Sequence, residues 1–253
     1  MRLTVLGSGT SVPHPKRSSS AYWLKTGNEN ILLDCSASAI HRMAQEGCDW
    51  VNVDAIWISH FHLDHCGGLA PLLFGMKHAP DTQDRKLPLR IFGPPGLQKL
   101  IQAFDSANDY GLFKQPFPIE LIEVEAGESF QIFDELSGSV FSTPHTDESF
   151  AIKLEDSGGR SMVYTADTGY STNLGVFARG ADLLLAECSF IKNKPVKFHL
   201  ELADIAHLAR FATPKRIVLT HLYPEWDGRE NDAVELLGEL QAEIAFDGMR
   251  VDF

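Results

Sequence analysis

The amino-acid sequence predicts an α/β fold in which two β-sheets pack face to face and carry helices on their outer faces. Short β-like apolar runs occur in both halves of the 253 residues, and helical patterns fall between some of them. Hydrophobic residues make up 44% of the chain, enough for one large core, and this composition excludes disorder, collagen and coiled coil. Because no Pro/Gly/Ser-rich linker or internal repeat divides the sequence, we expect a single domain over residues 1–253.

The first third of the sequence predicts a β-meander. Its strands are expected at Arg2–Leu6, Ala21–Leu24 and Ile31–Leu33, with a loop rich in Gly, Ser and Pro over residues 7–19. A helix is expected over Ser36–Gln45. The apolar run Ala55–Ile58 then predicts a strand that delivers a histidine-rich segment into a loop.

The later elements follow from the same periodicities. Helices are expected at Gly67–Met76, Gly96–Phe104, Leu200–Phe211 and Asn231–Leu240. Strands are expected at Leu89–Phe92, Ile119–Val124, Ser139–Ser142, Phe150–Leu154, Met162–Thr165, Leu183–Ala186, Ile217–Thr220 and Met249–Val251.

Charge and apolar run lengths limit the partners of the protein. The 34 acidic and 22 basic residues give a net charge of −12, which argues against general nucleic-acid binding. The four cysteines have no metal-ribbon spacing and are interpreted as free thiols. The apolar run at the N-terminus is too short for a secretory signal, and no apolar run reaches the roughly 20 residues that span a bilayer. We therefore expect a cytoplasmic protein with no membrane partner.

The strongest chemical signal is the segment SHFHLDHCGG, which begins at Ser59 directly after a predicted strand. It places three imidazoles and one carboxylate, those of His60, His62, Asp64 and His65, within six residues. In extended backbone, positions 60, 62 and 64 project to one side, and a turn at the glycines can bring His65 round. A solvated polar loop would not need this density of ligands. The segment predicts a site for two adjacent cations, zinc first, with Mn²⁺ or Fe²⁺ as alternatives.

Three further polar residues each stand just past a predicted strand end. They are His145 after Thr143-Pro144, Asp167 after the strand ending near Ala166, and His221 after Thr220. Taken alone, each would be an ordinary loop side chain. Their repeated position after strands makes them candidate ligands for the same site.

The segment from His60 to His65 resembles the H-x-H-x-D-H signature of the metallo-β-lactamase fold superfamily. The resemblance implies an αββα four-layer sandwich with two mixed sheets flanked by helices, and two zinc ions per chain. It also implies that Asp34, at the end of a strand, orients a ligand imidazole. The implied ligand sets are His60, His62 and His145 for one zinc, Asp64, His65 and His221 for the other, and Asp167 as the bridge.

Within the superfamily, the closer resemblance is to ribonuclease Z-like phosphodiesterases. The LGSGT run that begins at Leu6 resembles their opening loop, and AECSF at residues 186–190 resembles their H-E-A-T-F segment with its histidine replaced by alanine. The segment His199-Leu200-Glu201 resembles their H-S-T segment. This resemblance implies that His199, supported by Glu187, helps to protonate the leaving oxygen. A hydrogen-bonded pair at a helix start is the alternative interpretation.

Two departures from that family bear on the substrate. Only 22 positions separate His145 from Asp167, so the protruding arm of transfer-RNA-maturing enzymes has no room. The serine and the arginine-tyrosine that usually follow the last histidine are missing after His221. Together with the acidic charge, these departures favour a small phosphodiester or a short RNA over transfer RNA.

The expected activity is therefore metal-dependent phosphodiester hydrolysis. Two adjacent dications lower the pKa of a shared water, so that a bridging hydroxide held by Asp64 and Asp167 attacks phosphorus. His199 then protonates the departing alkoxide. Two alternatives stay open: a hydrolase of the same fold acting on a lactone, thioester or lactam, and a non-catalytic metal-binding protein. A homodimer through an exposed apolar surface also stays open.

Overall fold

The computed structural model describes residues 1–238, 240 and 242–253. Its strands are β1 (Arg2–Gly7), β2 (Ala21–Thr26), β3 (Glu29–Leu33), β4 (Ala55–Trp57), β5 (Leu89–Gly93), β6 (Ile119–Glu123), β7 (Ser129–Phe133), β8 (Leu136–Ser142), β9 (Phe150–Asp156), β10 (Ser161–Tyr164), β11 (Leu183–Glu187), β12 (Arg216–Thr220), β13 (Ala242–Ile244) and β14 (Arg250–Asp252). Its helices are α1 (Ala39–Gln45), α2 (Leu63–Cys66), α3 (Leu69–His78), α4 (Leu97–Ser106), α5 (Thr172–Phe177), α6 (Leu202–Ala212) and α7 (Glu230–Leu237).

Across these residues the strands form two mixed seven-stranded sheets, which confirms the predicted α/β sandwich. The first sheet has the order β14-β1-β2-β3-β4-β5-β6 and the second β13-β12-β11-β10-β9-β8-β7. β1, β2 and β3 are antiparallel neighbours, so the predicted meander is also confirmed. Strands β3 to β6 run parallel to one another, and so do strands β10 to β13.

Three apolar clusters hold the four layers together. The cluster between the sheets takes alternate residues of both, among them Leu3, Tyr22 and Tyr164. Two outer clusters lie between the helices and the outer faces of the sheets. Met43 of α1 and Leu72 of α3 pack in the cluster of the first sheet, and Leu208 of α6 packs in that of the second. The parallel strands are buried on both faces, which explains their continuous apolar sequences. None of the helices in the described ranges combines the length and the apolar character needed to cross a bilayer.

The structure differs from the predicted elements at a few places. Strands β7 and β13 and helix α5 were not predicted. β7 is an edge strand of five residues, and the alternation of polar and apolar residues in SFQIF covers only its first four positions. The helix predicted over Gly67–Met76 is α3, which begins at Leu69 and ends at His78, and the short helix α2 before it was not predicted. Of the helix predicted over Asn231–Leu240, position 239 lies outside the described residues, and α7 ends at Leu237.

Candidate metal centre

The candidate site residues lie together at the carboxyl ends of parallel strands in both sheets. Asp34 directly follows β3, and His60 comes three residues after β4 in the first sheet. In the second sheet, Asp167 comes three residues after β10, Glu187 ends β11, and His221 directly follows β12. Crevices outside the carboxyl ends of parallel strands are the usual location of active sites in α/β proteins. Each sheet therefore forms one side of a common cleft.

Three of these strand exits have a left-handed backbone conformation at residues other than glycine. The φ angles are 56° at Asp34, 51° at Ala166 and 55° at His221. Such residues cost roughly 1–3 kcal/mol each and persist only where the surrounding structure holds them. Here they turn the side chains of Asp34, Asp167 and His221 from the strand ends into the cleft.

The backbone around Asp64 and His65 differs from the expected extended run. His62 is extended, but residues 63–66 form the short helix α2, so Asp64 does not continue a strand-like alternation. The amides of His65 and Cys66 both donate to the carbonyl of His62, and this helical turn brings His65 round. The glycines that follow serve close packing rather than the turn, because a Cβ on Gly68 would lie 2.2 Å from the carbonyl oxygen of Ser36.

We expect Gly68→Ala to destabilise the fold by on the order of 1–3 kcal/mol, the usual cost of overpacking against backbone that cannot move away. Chemical denaturation would measure the loss. Gly75→Ala on α3 is the matched control, because a Cβ there meets no atom within 4 Å and alanine favours the helix. Equal stability of the two variants would contradict the close approach at Gly68.

The structure brings the seven predicted ligands together in two sets. Within each set, one ligand atom of every residue lies within 4.8 Å of the others. The sets are His60, His62, His145 and Asp167, and Asp64, His65 and His221.

The carboxylate of Asp167 lies between the two sets. Its Oδ1 is 3.2 Å from Nε2 of His65 and 3.3 Å from Nε2 of His221. Its Oδ2 is 3.8 Å from Nε2 of His60 and 3.7 Å from Nε2 of His145. One oxygen thus faces each set, which is the placement that a bridging carboxylate requires.

Several buried polar atoms in this cleft have no hydrogen-bond partner, as expected of atoms that bind cations. Nε2 of His60, His65 and His221 and Oδ1 of Asp167 are buried and make no hydrogen bond. Buried polar atoms in native proteins are almost always satisfied. In addition, Nδ1 of His62 lies 3.1 Å from Nε2 of His145, so two ring nitrogens face each other. Imidazole nitrogens and carboxylate oxygens converging in this way fit divalent cations such as zinc.

A second group of contacts fixes the other ring nitrogen of four candidate ligands. Nδ1 of His65 lies 2.7 Å from Oδ2 of Asp34, and Nδ1 of His145 donates to the carbonyl of Phe198 at 2.9 Å. Nδ1 of His60 and of His221 contact the hydroxyls of Ser59 and Ser189, respectively, at 3.0 Å. With Nδ1 donating, Nε2 keeps its lone pair for a metal.

His199 and Glu187 lie beside the second set. Nδ1 of His199 is 2.9 Å from Oε1 of Glu187, and its ring stacks on that of His221 with centroids 5.4 Å apart. A ring nitrogen of His199 also lies within 4.8 Å of ligand atoms of Asp167 and His221. Glu187 is fully buried and accepts hydrogen bonds from the amides of Thr168, Ser189 and Leu200. The predicted pair is therefore formed at the edge of the cleft.

Residues 1–239 of the sequence match a protein family described as anti-Pycsar protein Apyc1. The chain belongs to this family. A ribonuclease Z from Shouchella clausii is 28% identical to the Apyc1-family chain over 291 residues, covering 92% of the chain and 90% of that protein.

Two solved structures resemble the fold of the Apyc1-family chain. The metallo-β-lactamase fold protein YhfI from Bacillus subtilis has a TM-score of 0.83 at 22% identity, covering 99% of this chain and 98% of its own. The short form of human tRNase Z has a TM-score of 0.79 at 23% identity, covering 100% and 99%. The resemblance to the metallo-β-lactamase fold and its ribonuclease Z-like branch is confirmed.

Electrostatics in the Apyc1-family chain favour neutral imidazoles at His60 and His145, an ionised carboxylate at Asp167 and a positive charge at His65. Burial lowers the pKa of the His60 and His145 imidazoles, which keeps them neutral. Burial alone would raise the pKa of the Asp167 carboxyl, but the imidazoles of His221 and His65 outweigh it and hold this pKa well below the usual range. At His65, the carboxylates of Asp167 and Asp34 outweigh burial and raise the pKa well above its ordinary value. The cleft therefore favours positive charge at its centre.

No role was predicted for Ser59 or Ser189, whose hydroxyls link candidate ligand imidazoles to buried carboxylates. Ser59 donates to Oδ2 of Asp34 at 2.9 Å, and Ser189 donates to Oε2 of Glu187 at 2.9 Å. Each serine stands next to a residue that was singled out, one residue before His60 and two after Glu187. That proximity was the available signal, but serine is common in loops and carries no such meaning alone.

The family relationship and the cluster of histidine and aspartate side chains in the cleft indicate the enzyme class. It is a metal-dependent hydrolase.

Proposed function

We propose that the chain is a dinuclear metal-dependent phosphodiesterase, with zinc as the metal and residues 1–253 as a single catalytic domain. The observation that carries the proposal is the position of Asp167, with one oxygen towards each ligand set. The His199–Glu187 pair at the edge of the same cleft supports it. The relatives named ribonuclease Z and tRNase Z supply a precedent for phosphodiester chemistry in this fold.

The chain's own residues would divide the chemistry between them. One cation would be held by His60, His62, His145 and Asp167, and the other by Asp64, His65, His221 and Asp167. Bound divalent cations supply Lewis acidity, which activates water and offsets charge on phosphoryl oxygens. The carboxylates of Asp64 and Asp167 would orient the attacking water by accepting its hydrogen bonds.

His199 would complete the reaction by protonating the leaving oxygen. Burial tends to lower its pKa, but the hydrogen bond to Glu187 and the charge of that carboxylate outweigh burial, so that the pKa of His199 is raised. The protonated ring is therefore available near neutral pH, and Glu187 fixes its orientation. General acid catalysis of this kind typically contributes roughly 10²- to 10⁴-fold.

The structure also bears on the size of the substrate. All residues between His145 and Asp167 are described, and they form β9, β10 and their short connections. No protruding arm is present in this part of the chain. Together with the net charge of −12, this favours a small phosphodiester or a short RNA, the substrates predicted from the sequence.

We expect the zinc-loaded protein to hydrolyse bis(p-nitrophenyl) phosphate faster than p-nitrophenyl phosphate or nitrocefin. The reason is that a diester matches the metal pair and the proton donor, whereas a monoester carries more charge and a lactam a different geometry. Absorbance assays on one preparation would compare the three rates. A panel of lactones and thioesters belongs in the same comparison, and faster turnover of a carbonyl substrate would overturn the reaction class.

Substrate size needs a separate comparison. Short oligoribonucleotides and small linear and cyclic phosphodiesters should be cleaved, while precursor transfer RNA should be cut poorly. Efficient site-specific cleavage at the 3′ side of transfer RNA would contradict this expectation. Failure of every substrate at full metal loading would favour a non-catalytic metal-binding protein.

A further inference from the structure

A buried tyrosine of the second sheet contacts the carboxylate that orients ligands of the first sheet. The hydroxyl of Tyr164 donates to Oδ2 of Asp34 at 2.6 Å, and both residues are buried in the core. Tyr164 is the last residue of β10, three positions before Asp167. The hydrogen bond therefore joins the strand that presents Asp167 to the strand exit that carries Asp34.

Asp34 is saturated with donors, and Tyr164 is the one donor from the opposite sheet in the described hydrogen bonds. Oδ1 of Asp34 accepts the amide of Ser59 at 2.8 Å. Oδ2 accepts the hydroxyl of Ser59 at 2.9 Å and faces Nδ1 of His65 at 2.7 Å. Through these two partners, Asp34 orients both His60 and His65. Removal of the Tyr164 hydroxyl would leave this carboxylate without its connection to the second sheet.

The structure assigns Tyr164 the role of a positioning residue for the metal centre. Its hydroxyl holds Asp34 so that Nε2 of His65 and of His60, which come from the first sheet, face the Asp167 carboxylate of the second. This inference rests on the proposed metal centre. Burial keeps the pKa of Tyr164 well above its ordinary value, so that the phenol stays protonated and donates.

Tyr22 provides a matched control in the same core. It is also fully buried, and its ring packs edge-on against Tyr164 with centroids 5.0 Å apart. Its hydroxyl also spans the two sheets, but it contacts Oγ1 of Thr220 at 2.9 Å instead of Asp34. Tyr22→Phe and Tyr164→Phe thus remove equivalent buried hydroxyls and keep both rings, so that each fold retains its packing.

The test compares Zn²⁺ affinity in the wild type and the two variants by competition with a chromophoric chelator. We expect Tyr164→Phe to weaken at least one Zn²⁺ by roughly 10- to 100-fold, the usual effect of removing a hydrogen bond that orients a ligand. The visible spectrum of the Co²⁺-substituted protein should change as well. Tyr22→Phe should stay within about twofold of the wild type in affinity and keep the wild-type spectrum.

A double-variant cycle shows whether Asp34 carries the effect. In an Asp34→Ala background, which has no side-chain acceptor for the Tyr164 hydroxyl, the further change Tyr164→Phe should alter Zn²⁺ affinity by less than about twofold. Equal effects of the two Phe variants, or an undiminished effect of Tyr164→Phe without Asp34, would overturn the inference. Failure of the wild type to bind two Zn²⁺ would instead count against the proposed metal centre.

Discussion

Asp167→Ala is expected to release at least one metal ion and to remove nearly all activity. The carboxylate presents one oxygen to each ligand set, at 3.2 and 3.3 Å from imidazoles of one set and 3.7 and 3.8 Å from imidazoles of the other. Its removal therefore deprives both sites of a ligand. Changes to groups that only orient ligands lower metal affinity roughly 10- to 100-fold, so the loss here should exceed that range. Elemental analysis of the purified variant measures the ions retained.

Asp64→Ala separates a bridging role from an ordinary ligand role. Asp64 lies 3.5 Å from His221 and 3.7 Å from His65 and belongs to one set alone. This variant should lose affinity for one ion, while Asp167→Ala weakens both. Asp227→Ala, at a half-exposed carboxylate paired with His14 and Arg17, should keep full metal content. Retention of two tightly bound ions by Asp167→Ala would refute the assignment of the bridge.

The positions of the candidate ligands could be predicted from the sequence because each segment that carries them follows a strand whose apolar residues are easily recognised. His221 directly follows the buried run Ile217–Thr220, and His60 closely follows Ala55–Trp57. The carboxyl ends of parallel strands meet at one edge of a sheet, so residues distant in sequence are brought together there. The same reasoning could not predict helix α2, because a four-residue helix has no periodicity of its own.

The contacts that orient the candidate ligands could not be predicted from the sequence, because they depend on packing between the two sheets. Tyr164 meets Asp34 across 130 positions of chain, and nothing near either residue indicates the other. The apolar sequence of β10 predicts that Tyr164 is buried, but not which partner its hydroxyl finds. The link from Glu187 through Ser189 to His221 likewise needs β11 and β12 in register. Ligand types can be predicted from local patterns, whereas their orientation requires the assembled core.

Glu187 connects the proposed proton donor to a candidate ligand. One of its oxygens contacts His199, and the other accepts from Ser189, whose hydroxyl contacts Nδ1 of His221. A change at Glu187 would therefore disturb proton donation and ligand orientation together. His199 makes no hydrogen bond to a candidate ligand in the described contacts, so the function of the pair is better tested at the histidine.

His199→Ala should slow the reaction in proportion to the basicity of the leaving group. A diester with an alkyl or ribose leaving group should lose roughly 10²- to 10⁴-fold in turnover, because its alkoxide needs a proton to depart. The bis(p-nitrophenyl) ester should slow much less, since nitrophenolate leaves readily without one. Metal content should not change. Turnover of both substrates by the metal-loaded variant, beside His41→Ala at an exposed position on α1, measures the difference.

The pattern of losses decides between three roles for His199. Selective slowing of the alkyl diester follows only if the imidazole donates a proton to the leaving oxygen. Equal slowing of both substrates would mean that the ring positions the phosphate, as its stacking on His221 also permits. Loss of a metal ion would make His199 a ligand, because its ring nitrogen lies within 4.8 Å of ligand atoms of Asp167 and His221. In that case the division of the seven residues into two sets would have to be revised.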